Sequence, residues 1–312
     1  MDDTIQTPNV INGVTPTITF PPVGGLRDHA LTVRKAMVIV DLPVPVARVP
    51  ITRVTRMTGE LDATSDHVIE ETPVALTYNG VSHAVLLVTP DDALADFALG
   101  FSLSEGILSH SGELLDYECV PSVNGNGIVL DMRVTNRAFM ALKDRRRTLA
   151  GRTSCGLCGI ESLDQVARLL PKLPRSPAPL SCHVVFDAVK KVAQHQTLRY
   201  QTGATHSAVW FDVMGALQLL REDVGRHNAL DKLLGALARE RWNLADGFVF
   251  VSSRASFEMV QKAAALGVST LVAASAPTAM AIRLAHQAGI RLIGFARDEQ
   301  LVVYTAAHTL TP

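Results

Sequence analysis

Cysteine is scarce in this chain. Four cysteines in 312 residues are too few to staple a fold of this length, which excludes a disulfide scaffold of the small secreted kind. An excess of charge of either sign is also missing: 29 Lys and Arg face 30 Asp and Glu, for a formal net charge of -1. That balance argues against a general nucleic-acid or membrane-surface binder and leaves local basic patches as the only route to phosphate. The longest apolar runs, such as "GFVFV" at 247–251, are far too short to span a bilayer. The opening "MDDTIQTPNV" has no basic-then-apolar signal pattern, so a cytoplasmic protein without membrane contact is expected. Neither a GxxxxGK[ST] loop nor a proper GxGxxG occurs, which disfavours ordinary ATP hydrolysis and dinucleotide redox chemistry.

What is present describes a soluble globule with enough apolar content, 47%, for two cores. Residues 1–45 are polar and broken by Pro and Gly, and are expected to form a loose tail containing at most a marginal strand in "KAMVIVDLPVPV". Residues 46–144 are expected to form a small α+β domain. Its clearest signal is "TPVALTYNGVSHAVLLVT", two alternating runs around Asn79-Gly80, residues that suit a type I′ turn and so predict a hairpin. A helix is predicted through "TPDDALADFALGFSLSEGIL", with Thr89 as its cap, Pro90 in its first turn and Gly106 as its stop. Two strands, "LLDYECV" and "GIVLDMRV", are predicted after it. Residues 145–160 read as a Cys-containing linker, and 161–312 as a second domain. From His206 onward strand-like and helical runs alternate, the pattern of an α/β layered domain.

The chemistry-bearing residues fall in two groups. Cys155 and Cys158 in "RTSCGLCGI" have three uses that spacing alone does not separate: half a zinc site, a redox dithiol, or a sulfur relay in which a thiolate takes the outer sulfur of a persulfide. Gly151, Gly156 and Gly159 would let such a loop move, and Arg145, Arg146, Arg147 and Arg152 precede or flank the cysteines. The second group lies at junctions between elements. His206 precedes an apolar strand, and Asp223, Arg226, His227 and Asn228 crowd the start of a predicted helix, where free N-H groups and Arg226 make an anion site. Ser252, Ser253 and Arg254, then Ser275, Pro277 and Thr278, mark two further strand-to-helix junctions. Neighbouring junctions of this kind would line one crevice, where α/β sheets bind nucleotides.

These blocks, "ETPVALTYNG", "RTSCGLCG", "TGATHSA", "EDVGRHNALDK", "SSRASFEMVQKA", "ASAPTAMAIRLA" and "GFARDEQLVVYT", in this order, resemble the FdhD family of formate dehydrogenase accessory sulfurtransferases over about Val68 to Thr305. The resemblance implies a cytoplasmic, homodimeric sulfur carrier that takes sulfur from a cysteine desulfurase. It passes that sulfur to the bis(molybdopterin guanine dinucleotide) molybdenum cofactor, its acceptor substrate, before the cofactor enters formate dehydrogenase. No permanent metal is implied. Cys155 maps onto the persulfide carrier and Cys158 onto a relay partner. The family's cofactor-binding stretch maps onto Phe295, Ala296, Arg297, Asp298, Glu299 and Gln300. Arg226, Arg254, Ser275 and Thr278 are then candidate phosphate contacts, and His206 and His227 candidate proton handlers. The implied fold is a three-layer, cytidine-deaminase-like C-terminal domain beside a smaller α+β domain. The H-x-E with PCxxC zinc signature of deaminases is missing, so the reaction would not be shared. The rival classes are a non-catalytic zinc-binding or cofactor-binding chaperone and a thiol-disulfide oxidoreductase.

Overall fold

A computed structural model describes residues 43–57, 59, 61–147, 173, 176–297 and 299–312. The expected tail up to residue 42, both cysteines of the CxxC pair, Arg152 and Asp298 therefore lie outside the described residues.

The described chain opens with a hairpin of β1 (Val46–Val54) and β2 (Leu61–Ile69), paired from Val46↔Ile69 to Val54↔Leu61. A four-stranded sheet follows, built from β3 (Thr72–Tyr78), β4 (Val81–Val88), β5 (Leu114–Pro121) and β6 (Ile128–Val134) in the order β4-β3-β6-β5. The β3–β4 turn holds Asn79 at φ 47° and Gly80 at φ 76°, the left-handed pair that the Asn-Gly signal predicts. Along β3 the side chains of Val74, Leu76 and Tyr78 are fully buried, the period of two that turns one face to a core. That core is completed by α1 (Leu94–Ser104) and by α2 (Asn136–Arg147). The backbone of α2 carries helix through 145–147, three residues that the sequence suggested for the linker.

The prediction for α1 is right about its end and wrong about its start. Gly106, at φ 63°, follows the last turn, and the N-H groups of Ile107 and Leu108 both reach Ser102 O, a left-handed stop of the kind glycine favours. Thr89, however, does not cap the helix, which begins five residues later with Ala93 at the N-cap and no side-chain cap. Thr89 is fully buried and has distant partners: its N-H donates to Asp223 Oδ2 at 3.0 Å, and its Oγ1 accepts from Val224 N at 3.1 Å. A tertiary demand has overridden a local one.

A six-stranded mixed sheet forms the larger layer system, from β8 (His206–Asp212), β9 (Leu217–Asp223), β10 (Gly247–Val251), β11 (Thr270–Ala273), β12 (Arg291–Arg297) and β13 (Gln300–Val303). Its order is β13-β12-β11-β10-β8-β9, with β10, β11 and β12 parallel and the remaining neighbours antiparallel. A two-residue strand pair, β7 (Leu180–Ser181) with β14 (Leu310–Thr311), ties the chain end to the start of this half. Alternate residues of the sheet face opposite ways. Trp210, Val249, Val251 and Leu271 pack with α5 (Arg226–Arg239), α6 (Phe257–Leu266) and α7 (Ala279–Ala288). Val209, Phe211, Phe248 and Phe250 face the other way, onto Val185, Ala188 and Val192 of α3 (Cys182–His195). A short α4 (Thr197–Thr202) leads into β8. Helices thus cover both faces of the sheet, as the alternation of strands and helices requires.

The two sheet systems meet through α1 and α5. A methyl group on Gly100 would stand 1.8 Å from Asp231 O, and one on Gly235 would stand 1.9 Å from Asp96 O, so the helix backbones touch where any larger residue would keep them apart. Flanking this contact, Lys232 Nζ lies 2.8 Å from Asp223, 2.9 Å from Asp91 and 3.0 Å from Thr89 O. Lys262 on α6 likewise reaches Asp231 and Glu105 at 2.9 Å and Ser104 Oγ at 3.0 Å. Replacing Gly235 with Ala must push the helices apart, and we expect a loss of about 1–3 kcal/mol or more. Urea denaturation of Gly235→Ala checks this; an unchanged midpoint would mean that the two backbones are not in contact.

Candidate functional site

Strand direction decides which loops gather at one edge of the six-stranded sheet. Because β8 runs antiparallel to β10, its first residues lie beside the last residues of β10: Ser252 N donates to Ser207 O at 3.0 Å, and Ser207 N donates to Ser252 Oγ at 2.9 Å. Because β9 returns antiparallel to β8, Asp223 at its end pairs with His206. The same edge therefore carries the start of β8, the β9–α5 junction and the β10–α6 junction. It continues through the β11–α7 junction, where Thr278 N reaches Ala255 O at 3.1 Å, to β12, where Phe295 N reaches Ser275 O at 3.2 Å.

His206, Arg226 and His227 are brought together here. His206 is half-buried; burial lowers its pKa first, and the positive charges of Arg226 and Arg199 and the nearby His227 push it the same way. Burial and these neighbouring charges all favour its neutral form. His227 Nε2 stands 2.7 Å from Glu258 Oε2 on α6. That contact, ahead of any other cause, holds the Glu258 carboxyl below the usual range despite its partial burial. The helix α5 starts at Gly225, which offers no side-chain cap; its first N-H groups and Arg226 form the positive end of a helix dipole. Among the described residues at this junction, Arg226 Nε, Ser256 Oγ and, despite its close approach to Glu258, His227 Nε2 are buried without a hydrogen-bond partner of good geometry.

Not every residue of this stretch serves the crevice. Asp223 and Asn228, grouped by sequence with the two histidines, are structural. Asp223 Oδ1 accepts from Gly225 N and from Asn228 Nδ2, both at 2.9 Å, and Oδ2 meets Lys232 and Thr89 N. Asn228 Nδ2 also donates to Leu87 O at 2.7 Å. Glu222 accepts from Leu198 N, Arg199 N and Thr205 Oγ1 at 2.8–2.9 Å, fastening α4 to the sheet. At the other junctions, Arg254 is exposed and Ser275 is half-buried. Thr278 Oγ1 accepts from Ala281 N at 3.2 Å and so caps its own helix.

Of the mapped stretch, Phe295, Ala296 and Arg297 end β12 and Gln300 begins β13, with an irregular register between Gly294 and Arg297. Phe295 sits at φ 51°, a conformation that costs a bulky residue about 1–3 kcal/mol and that the surrounding fold must enforce. A hollow of about 530 Å³ is lined by Phe295, Arg297, Glu299 and Gln300. A second hollow, of about 430 Å³, lies between the β12–β13 turn and α3, with Val185, Phe186 and Lys190 on one wall and Arg297 and Glu299 on the other. Glu299 is ion-paired with Lys190 at 3.0 Å. Ala296 is 2% exposed and packs into the core under α3. Glu258 was missed by sequence reasoning, because its partner His227 lies on another helix and no local spacing announces it.

Residues 69–311 match the model of the FdhD/NarQ family. The chain belongs to the FdhD/NarQ family. A sulfur carrier protein FdhD from Cupriavidus necator is 54% identical over 246 residues, covering 79% of this chain and 84% of the relative. One from Bordetella petrii is 51% identical over 241 residues, 77% of this chain and 85% of its own. A crystal structure assigned to a formate dehydrogenase accessory protein from Desulfotalea psychrophila superposes with a TM-score of 0.66 at 22% identity, covering 86% of this chain and all of that one. This last likeness establishes the fold. The FdhD/NarQ match spans the crevice, the β12–β13 turn and both cysteines of the CxxC pair.

The low His206 pKa has a direct consequence. Any stability it contributes is present above the ordinary histidine value and is lost as pH falls through the lower folded value. Removing the guanidinium in Arg226→Ala should move the His206 midpoint upward, without restoring it fully because burial is the larger cause. Histidine titration by NMR tests this; a midpoint that stays put would separate Arg226 from the His206 ring.

Proposed function

We propose that this protein is a cytoplasmic sulfur carrier that supplies sulfur for formate dehydrogenase maturation. Membership of the FdhD/NarQ family across residues 69–311, a span that includes Cys155 and Cys158, carries the reading. Cys155 is the carrier. Its thiolate attacks the outer sulfur of a persulfide on a cysteine desulfurase; a new S–S bond forms on Cys155, the donor S–S bond breaks, and the donor cysteine leaves as thiolate. Cys158, three positions on, is the relay partner.

The acceptor substrate is the bis(molybdopterin guanine dinucleotide) molybdenum cofactor, and the geometry of the sheet edge supports this choice. Arg226 with the α5 amino end supplies donors for phosphate at one end, and the hollow beside Phe295 and Arg297 lies at the other. His206 on β8 and Phe295 on β12 are separated by two intervening strands, roughly 14 Å at the usual strand spacing, a span suited to an extended dinucleotide. Arg254 and Ser275 lie on the path between them, while Thr278 reaches it through backbone rather than through its committed hydroxyl. Ala296 contributes shape to the turn, and Glu299 and Gln300 contribute its polar rim. The helices on both faces of the larger sheet suit a cytidine-deaminase-like arrangement, and the working unit is a homodimer.

Incubating the protein with a desulfurase and cysteine should add the mass of one sulfur atom, and peptide fragmentation should place it on Cys155. Cys155→Ala should abolish both this loading and formate dehydrogenase maturation, with Cys158→Ala still taking up sulfur. Loading that survives in Cys155→Ala, or an adduct found only on Cys158, would refute the assignment of the carrier.

A further inference from the structure

The hollow between α3 and the β12–β13 turn has a wall that the mapped stretch does not include. On α3, Phe186, Val189, Lys190 and Ala193 are spaced i, i+3, i+4 and i+7, so a single face of the helix lines it. Beneath that face Val185 and Ala296 are buried in the core under the sheet, which gives the hollow a fixed apolar floor. Its volume, about 430 Å³, falls within the range of small-ligand pockets, about 300–1,000 Å³. Arg297 and Glu299 line both this hollow and the one beside Phe295, so the two adjoin.

The polar groups at its mouth come in a definite order. Lys190 Nζ donates to Glu299 Oε1 at 3.0 Å; among the described residues, Glu299 Oε2 accepts no hydrogen bond. Both members of the pair are solvent-exposed, so parting them to admit a ligand costs little. A donor therefore stands beside a two-oxygen acceptor, at the rim of an apolar slot with an aromatic ring in one wall. The Watson–Crick edge of guanine is the complement of that order: O6 accepts, while N1–H and N2–H donate side by side, as one carboxylate can receive them. Adenine presents the reverse, an amine in place of O6 and an acceptor at N1, and would set its amine against Lys190 and its ring nitrogen against Glu299. We propose that this hollow seats a guanine base of the acceptor, with Lys190 reading O6, Glu299 reading N1–H and N2–H, and Phe186 stacking on the ring. The proposal rests on reading the acceptor as a guanine dinucleotide, and it makes Phe186 and Lys190 specificity-determining residues from outside the 295–300 stretch.

Guanosine, inosine and adenosine diphosphates are the probes, titrated into the full-length protein by calorimetry at one pH and one salt concentration. They share sugar and phosphates, so differences among them report the base. Wild type should bind guanosine diphosphate at least about fivefold more tightly than adenosine diphosphate, the lower end of what a bidentate base contact discriminates. Inosine diphosphate, which lacks the N2 amine, should fall in between. Glu299→Gln should erase the preference for guanosine over inosine. Lys190→Met should weaken the guanosine and inosine forms and leave adenosine diphosphate unchanged or tighter, whereas Phe186→Ala should weaken all three by a similar factor, the mark of stacking. Equal affinity of wild type for the guanosine and adenosine forms, a base preference that survives Glu299→Gln intact, or no nucleotide binding by wild type would each overturn the proposal. If Cys155 fails to load sulfur while the order of bases holds, the sulfur-carrier reading falls and the guanine seat stands; sulfur loading without any order of bases has the opposite meaning.

Discussion

The contact between Gly100 and Gly235 sets the geometry of everything around it. At these two positions the backbones of α1 and α5 touch, since even one methyl group would collide with the opposing carbonyl oxygen. Such proximity brings the end of β4, the α1 start and the β9–α5 junction within reach of one ammonium group, that of Lys232. A buried ammonium is costly unless it is paired and its remaining protons are satisfied. Here Asp223, Asp91 and Thr89 O meet that requirement. The arrangement fixes the path of residues 222–226, and so the positions from which Arg226 and His227 start α5.

A short stretch of sequence is consequently split between two jobs. In "EDVGRHNALDK", Glu222, Asp223, Asn228, Asp231 and Lys232 hold elements together, through partners on α4, β4, the segment before α1, α1 itself and α6. Arg226 and His227 face the other way, toward His206 and Glu258. Gly225 separates the two groups: a side chain there would meet Asn228 Nδ2 at 2.7 Å, disturbing the structural set in order to alter the functional one. Support and function are interleaved residue by residue, and a rigid support is what lets two half-exposed side chains keep a defined geometry.

Electrostatics at the sheet edge follow from the same layout. The edge gathers the starts of three helices, whose exposed N-H groups add to Arg226 and Arg254. Against this positive field, among the described residues, Glu258 supplies the one carboxylate in contact with His227. The β12–β13 turn adds a different element, an aromatic residue held at a left-handed backbone angle. Strain of this kind persists only where neighbouring contacts impose it. Here the bond from Phe295 N to Ser275 O and the close packing of Gly294 against Pro277 and Tyr304 do so.

The sequence by itself determined the elements whose cause is local. Asn79-Gly80 specifies its turn because few residue pairs tolerate two left-handed angles in succession, Gly106 ends α1 for a related reason, and the alternation after His206 marks a layered α/β half with a crevice at its strand ends. Family resemblance, carried by ordered blocks rather than by any single residue, pointed to the cysteines and to the 295–300 turn. Only the tertiary structure decided the fates of Thr89, Asp223 and Asn228, and the pairing of Glu258 with His227. Thr89 looks like a helix cap until a buried carboxylate 134 residues away claims its N-H. Long-range pairing in a dry interior outweighs a solvent-exposed local hydrogen bond, because an unmet buried charge costs more than a missing cap, and nothing in a linear string records which distant groups will share that interior.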